Sequence, residues 1–200
     1  MNYPNGMKRQ TKRSNQKHKT KTTRQQSFQN RGMSLENDLN ETNLFYLETN
    51  KAIIHKKPTP IQVVNVNYPR RSAAVITEAY FQKPSTTDYN GLYKGKHIDF
   101  EAKETKNKTT FPLSNIHDHQ INHMKSVAQH GGISFFIIRF AFHDETYLIP
   151  LAAILPFWEE SLKDGKKSIS YKDIQVNGHL IPFKFQPRID YLTVIHELYF

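Results

Sequence analysis

The chain has 200 residues, enough for one domain with a full core plus a tail or insertion, and its net charge of +10 points to a polyanionic partner. It has no cysteine, which excludes disulfides and thiolate zinc sites and fits a reducing, cytoplasmic setting. No apolar run approaches the roughly 18 residues of a spanning helix, and the polar, basic start lacks the apolar segment of a secretory signal. A membrane is therefore not an expected partner.

From Met1 to Gly32 there are nine Lys or Arg and no acid, with Gln, Asn, Ser and Thr between them. Such a segment cannot bury enough apolar surface to offset its ordering entropy, so residues 1–32 are expected to be a disordered basic arm that seeks phosphates. A plain solubilising tail has the same composition. Residues 33–200 are expected to form the folded domain.

In chain order, Gly32 to Asn50 reads as a first helix, with Ser34 as N-cap, Glu36 in its first turn, and Met33, Leu35, Leu39 and Leu44 near helical spacing. Ala52 to His55 is a short strand. A stretch through Tyr80 follows, opened by Lys56-Lys57-Pro58-Thr59-Pro60 and broken by Pro69-Arg70-Arg71. It is too β-branched for a linker and too interrupted for a core strand, so about 57–80 reads as a two-armed excursion from the domain. A hairpin turning at Lys94-Gly95-Lys96 comes next. Ser114 is expected to cap a helix through His130 that buries Ile116, Met124, Val127 and Ala128 and stops at Gly131-Gly132. Strands at 133–142 and 146–149 follow, then a helix from Leu151 to Leu162 and a last helix or strand at 190–198. The expected fold is α/β: a mixed central sheet flanked by helices.

The chemistry centres on Asp88 and, thirteen residues later, Glu101-Ala102-Lys103. Alternation along a strand places Ile98, Phe100 and Ala102 on one face and Asp99, Glu101 and Lys103 on the other, which is expected to be the solvated one. Asp88 and Glu101 there would hold a hard cation such as Mg²⁺, with Mn²⁺ as a substitute, and Lys103 would stabilise charge on a reacting phosphate. The same spacing also suits an ordinary cross-strand ion pair. His119 and His123 stand at i, i+4, but no third zinc ligand is apparent, and His117 and His119 should not face the same way on a helix. Phe135, Phe136, Tyr147 and Phe157 read as core, not as base-stacking surfaces.

These motifs resemble the PD-(D/E)xK nuclease superfamily and, more closely, the bacterial RecU family of Holliday junction resolvases. The matching residues are Asn30 to Glu36, Ala52 to Pro60, Ser85 to Gly91, Phe100 to Thr105, and His117 to Gln120. Thr87 stands where the superfamily pattern has Pro, a departure that RecU-type proteins share. The resemblance implies a restriction-endonuclease-like core with a projecting stalk, and a metal site of Thr86, Asp88, Glu101 and Gln120 with Lys103 as transition-state stabiliser. Gln120 also suits the site by its own position, early in a helix and off its apolar face, although an ordinary exposed helix Gln reads the same way; Glu36 is an accessory candidate, although an acid there also suits a helix N-terminus.

The function the resemblance implies is resolution of four-way DNA junctions in recombination and repair by an intertwined homodimer. Contacts with the strand-exchange recombinase and branch-migration machinery follow from the same likeness, as does a nucleoid-associated cytoplasmic location. Arg31, Lys56, Lys57, Arg70, Arg71 and Lys83 are the candidate DNA-binding residues, several on a stalk that would enter the junction centre. The alternatives are a linear-duplex endonuclease of the same superfamily and a non-catalytic DNA-bridging or recombinase-modulating protein.

Overall fold

The computed structural model describes residues 34–200, and of Arg71 only the backbone; the basic arm, Arg31, Gly32 and Met33 lie outside the described residues. Helix α1 (Leu35–Glu48) starts where Ser34 Oγ accepts the Asn37 N–H at 3.4 Å. It ends where Thr49 Oγ1 donates to the Phe45 carbonyl and Asn50 turns to φ 53°, a conformation Asn tolerates. Leu44 faces solvent, contrary to the sequence reading. The helix buries Asp38, Thr42 and Asn43 beside Leu35, Leu39 and Tyr46, so its inner face is half polar and hydropathy misreads it.

The central sheet has six strands in the order β1 (Ile53–Lys56), β4 (Tyr89–Tyr93), β5 (Lys96–Thr105), β7 (Ile133–Phe140), β8 (Glu145–Pro150) and β10 (His179–Ile181). All neighbours are antiparallel except β5 and β7. That parallel pair needs a crossover. It is supplied by β6 (Thr110–Pro112), a 3₁₀ turn over Leu113–Asn115, and α2 (Asp118–Gln129). Ser114 therefore lies in the 3₁₀ turn, and the α-helical cap is His117, whose N–H donates to Gln120 Oε1 at 2.9 Å. Ile121 and Met124 form the buried side of α2, while Ala128 is exposed.

The β4–β5 turn has positive φ at both central residues, Lys94 (47°) and Gly95 (77°), the pattern that matches strand twist in two-residue hairpins. Gly91 is fixed by close approach: a Cβ there would meet the Ile53 carbonyl oxygen at 2.0 Å. The excursion is a two-stranded antiparallel ribbon, β2 (Ile61–Asn67) with β3 (Val75–Phe81), separate from the central sheet and exposed along nearly its whole length.

Beyond Lys167 the structure adds elements that periodicity did not reveal. These are β9 (Ser168–Ser170) paired with β6, α4 (Tyr171–Asn177), and the edge strand β10; α5 (Tyr191–Tyr199) settles the final segment as helix. One core packs α1 and α5 against Ile98, Phe100, Phe135 and Ile137. The other packs α2, α3 (Leu151–Leu162) and α4 against Phe136, Ile138, Tyr147 and Ile149. The core reading of Phe135, Phe136 and Tyr147 holds, with Phe157 half-buried at its edge.

Candidate active site

The alternation read along β5 is correct: Ile98 and Phe100 enter the α1 core and Ala102 packs against it. The opposite face is not solvated. Asp99 and Glu101 are each only 1% exposed, because β5 is flanked by β4 and β7 and their face is covered from the α2 side. This correction matters chemically, since a buried carboxylate must be compensated or protonated.

Glu101 is partly compensated. Lys103 Nζ lies 2.8 Å from its Oε1, and the Asp88 N–H donates to its Oε2 at 3.1 Å. Burial is the largest influence on the Glu101 carboxyl. With the nearby Asp88 charge opposing Lys103, it raises the group to about 7. Asp88, on the residue just before β4, shares a pocket of about 300 Å³ with Ser34, Glu36, Tyr89, Ala102 and Glu104. Glu36 thus reaches the same cleft from α1, although its carboxylate pairs with Lys56 at 2.5 Å. Burial raises the Tyr89 hydroxyl, and the charges of Glu36, Asp88 and Glu101 add to the shift, so all three acids act on one phenol of the cleft.

The other two implied ligands are turned elsewhere. Gln120 is buried, but its Oε1 caps His117. Thr86 Oγ1 donates to the Thr87 carbonyl at 3.3 Å. Among the described residues no three His, Cys, Asp or Glu side chains converge as a metal cage.

Lys57 is corrected more sharply. It is not a free cation on the ribbon: its Nζ lies 2.9 Å from Asp99 Oδ2 and 3.1 Å from Thr87 Oγ1. Thr87 Oγ1 also bonds Asp99 Oδ1, and His123 Nε2 lies 3.1 Å from Asp99 Oδ2. Burial would raise the Asp99 carboxyl, but the bonds from Thr87, Lys57 and His123 and the Lys57 charge outweigh it and hold it below the usual range. Sequence reasoning assigned Asp99 no role, though its place two residues before Glu101 on one strand face was the available signal.

Of the remaining basic candidates, Arg70 and Lys83 are exposed. Lys83 borders a cleft of about 460 Å³ with Pro84, Ile116, His117, Asp118 and His119. The His117 and His119 rings stack, 5.6 Å apart and 12° from parallel, against the helical-spacing argument. That argument fails because His117 is an extended cap residue, with φ −111° and ψ 148°.

The sequence pattern of the family described as "Recombination protein U" matches residues 30–197. A protein of Oceanobacillus iheyensis named Holliday junction resolvase RecU is 61% identical over 200 residues, covering all of both chains. A namesake from a Geobacillus species is 54% identical over 198 residues, 99% of this chain and 97% of its own. Among solved structures, Archaeoglobus fulgidus Hjc, a Holliday junction resolvase, aligns with a TM-score of 0.42 and 11% identity, covering 74% of this chain and 93% of that one. That likeness is too distant to add to the assignment. The match across nearly the whole described domain is decisive: the chain belongs to the Recombination protein U family.

Proposed function

We propose that the protein is a metal-dependent DNA endonuclease that resolves four-way junctions by paired symmetric nicks during homologous recombination and repair. The observation that carries this reading is the Asp88–Glu101–Lys103 arrangement: the Asp88 N–H donates to the buried Glu101 carboxylate, which also feels the Asp88 charge and pairs with the lysine two residues on. The relatives' name supplies the substrate class.

The donor set suits a hard divalent ion. Mg²⁺ takes one or two carboxylates and completes its shell with waters and substrate phosphates, so two acids without a third are sufficient. Mn²⁺ accepts the same donors. Asp88 and Glu101 would hold the ion, which would supply charge neutralisation at a phosphate and a more acidic water. Thr86 and Gln120 would join only by giving up the contacts they now make.

The chain's own residues do the rest. Glu101 is fixed from both sides, so its carboxylate needs no reorganisation to face the reacting centre. Lys103 projects from the same strand face and can donate N–H bonds to a phosphate oxygen as its charge grows. Two symmetric nicks call for two such sites, which a two-fold homodimer provides. The ribbon would enter the junction centre, with Arg70 and the ribbon-proximal Lys83 toward phosphates, so recognition would follow branched shape. A nucleoid-associated cytoplasmic location, with the recombinase and branch-migration machinery as partners, fits this role.

The test is a cleavage assay on four-way, linear duplex and single-stranded DNA with and without Mg²⁺. Wild-type protein should nick opposing strands of the junction. Asp88→Asn and Glu101→Gln should abolish cleavage and keep junction binding, because each removes a ligand charge without touching the exposed cations. Retained nicking by either variant at saturating Mg²⁺ would overturn the site.

A further inference from the structure

Lys57 lies where the chain leaves β1 for the ribbon, and its hydrogen bonds run to the two residues just before β4 and to Asp99 of β5. Its backbone N–H donates to the Asp88 carbonyl at 2.7 Å. Its ammonium reaches Thr87, the neighbour of Asp88 just before β4, and Asp99, two residues before Glu101 on β5. Thr87 Oγ1 contacts Asp99 and lies 3.3 Å from the Tyr89 carbonyl, so both neighbours of Asp88 are held from the same hydroxyl. Asp99 is buried, and its Oδ2 also meets His123 of α2.

We infer that Lys57 is a positioning residue that, through Asp99 and Thr87, fixes the Thr87–Asp88 backbone against Glu101 and so ties the root of the ribbon to the metal-binding carboxylates. This rests on the nuclease reading above. Only three residues, Pro58, Thr59 and Pro60, separate Lys57 from the first residue of β2, and two of them are prolines. Proline fixes φ, so this connection is stiff. A displacement of the ribbon by bound junction is therefore transmitted to the residue that holds the Asp88 carbonyl. Lys57 contributes to the reaction through Asp88 and not through a phosphate: its side chain is 20% exposed and its charge is spent on Asp99.

The experiment compares wild type with Lys57→Met, Asp99→Asn and the double variant. Three properties are read: Mn²⁺ uptake by the DNA-free protein, followed by electron paramagnetic resonance; junction affinity as a function of salt; and thermal unfolding. Lys57→Met should weaken Mn²⁺ binding about tenfold, the lower end of what supporting residues around a metal contribute. It should leave junction affinity and its salt slope as in wild type, and slow cleavage about 10²-fold, as a misplacement of about 1 Å can.

The double variant leaves no unpaired buried charge, so it should recover thermal stability but not Mn²⁺ affinity. Recovery of both would make the pair merely structural and overturn the inference. So would a junction salt slope reduced by about 1 with Mn²⁺ binding unchanged, the signature of a phosphate anchor. If Lys57→Met does not fold, the double variant decides alone. Wild type that binds Mn²⁺ but cuts no DNA would end the nuclease reading while leaving this comparison intact.

Discussion

At the scale of single residues, Lys103 is the group whose role is most open to separation by kinetics. It sits 2.8 Å from Glu101 Oε1 and its side chain is 18% exposed, so it is held in place yet reachable. Lys103→Ala should slow cleavage by about 10²- to 10³-fold, the order lost with one preorganised charge-stabilising donor, while junction affinity changes little. Affinity falling in step with rate would make it a phosphate anchor. Away from the site, Glu145 accepts hydrogen bonds from the phenols of Tyr147 and Tyr171, which hold its carboxyl below the ordinary range. A carboxylate depressed in the fold adds stability above its unfolded pKa and loses it as pH falls through the folded value. The stability advantage of wild type over Glu145→Gln should therefore be full at neutral pH and shrink as pH falls below the ordinary glutamate value of about 4, measured by thermal unfolding across that range.

Among elements, the ribbon is the one that can be removed cleanly. Val63 pairs with Ala79, so deleting 64–78 and closing with an Asn-Gly turn respects the register. The shortened protein should keep its unfolding transition, because the central sheet and both cores lie outside the ribbon, and should lose its preference for four-way over linear DNA. Full selectivity in a well-folded variant would refute the junction role of the ribbon. The ribbon was visible in the sequence as β-branched stretches broken at Pro69, and β5 through strict alternation from Ile98 to Lys103. What alternation could not show is which face of β5 is covered. That depends on the α2 side, and it separates a solvated Asp99 from a buried one bonded to Lys57. Likewise β9 and β10 have three residues each, too few for any period to register, and α1 hides its inner face behind Asp38, Thr42 and Asn43.

On the scale of the whole molecule, nearly all of the excess charge lies before residue 33. Removing residues 1–31 should weaken binding to every DNA form and flatten its salt dependence, since fewer counterions are released. Residues 34–200 should unfold as before, because the described residues from Leu35 onward supply two extensive cores. An arm-free protein with unchanged salt slope would show that the arm does not touch DNA. The polar inner face of α1 has a different consequence. Asp38 pairs with Arg139 and Arg188, the Ile189 N–H donates to Thr42, and Tyr46 and Asn43 meet Asp190 and Tyr191. The helix that carries Glu36 into the cleft is thus seated largely by residues about 150 positions later in the chain. Until the segment around Arg188 to Tyr191 docks, much of the buried polar face of α1 lacks its partners and the cleft lacks a wall. Completion of the cleft wall is thereby tied to contacts of high sequence separation, whose loop-closure cost must be met before they form, so this wall is expected to close late in folding.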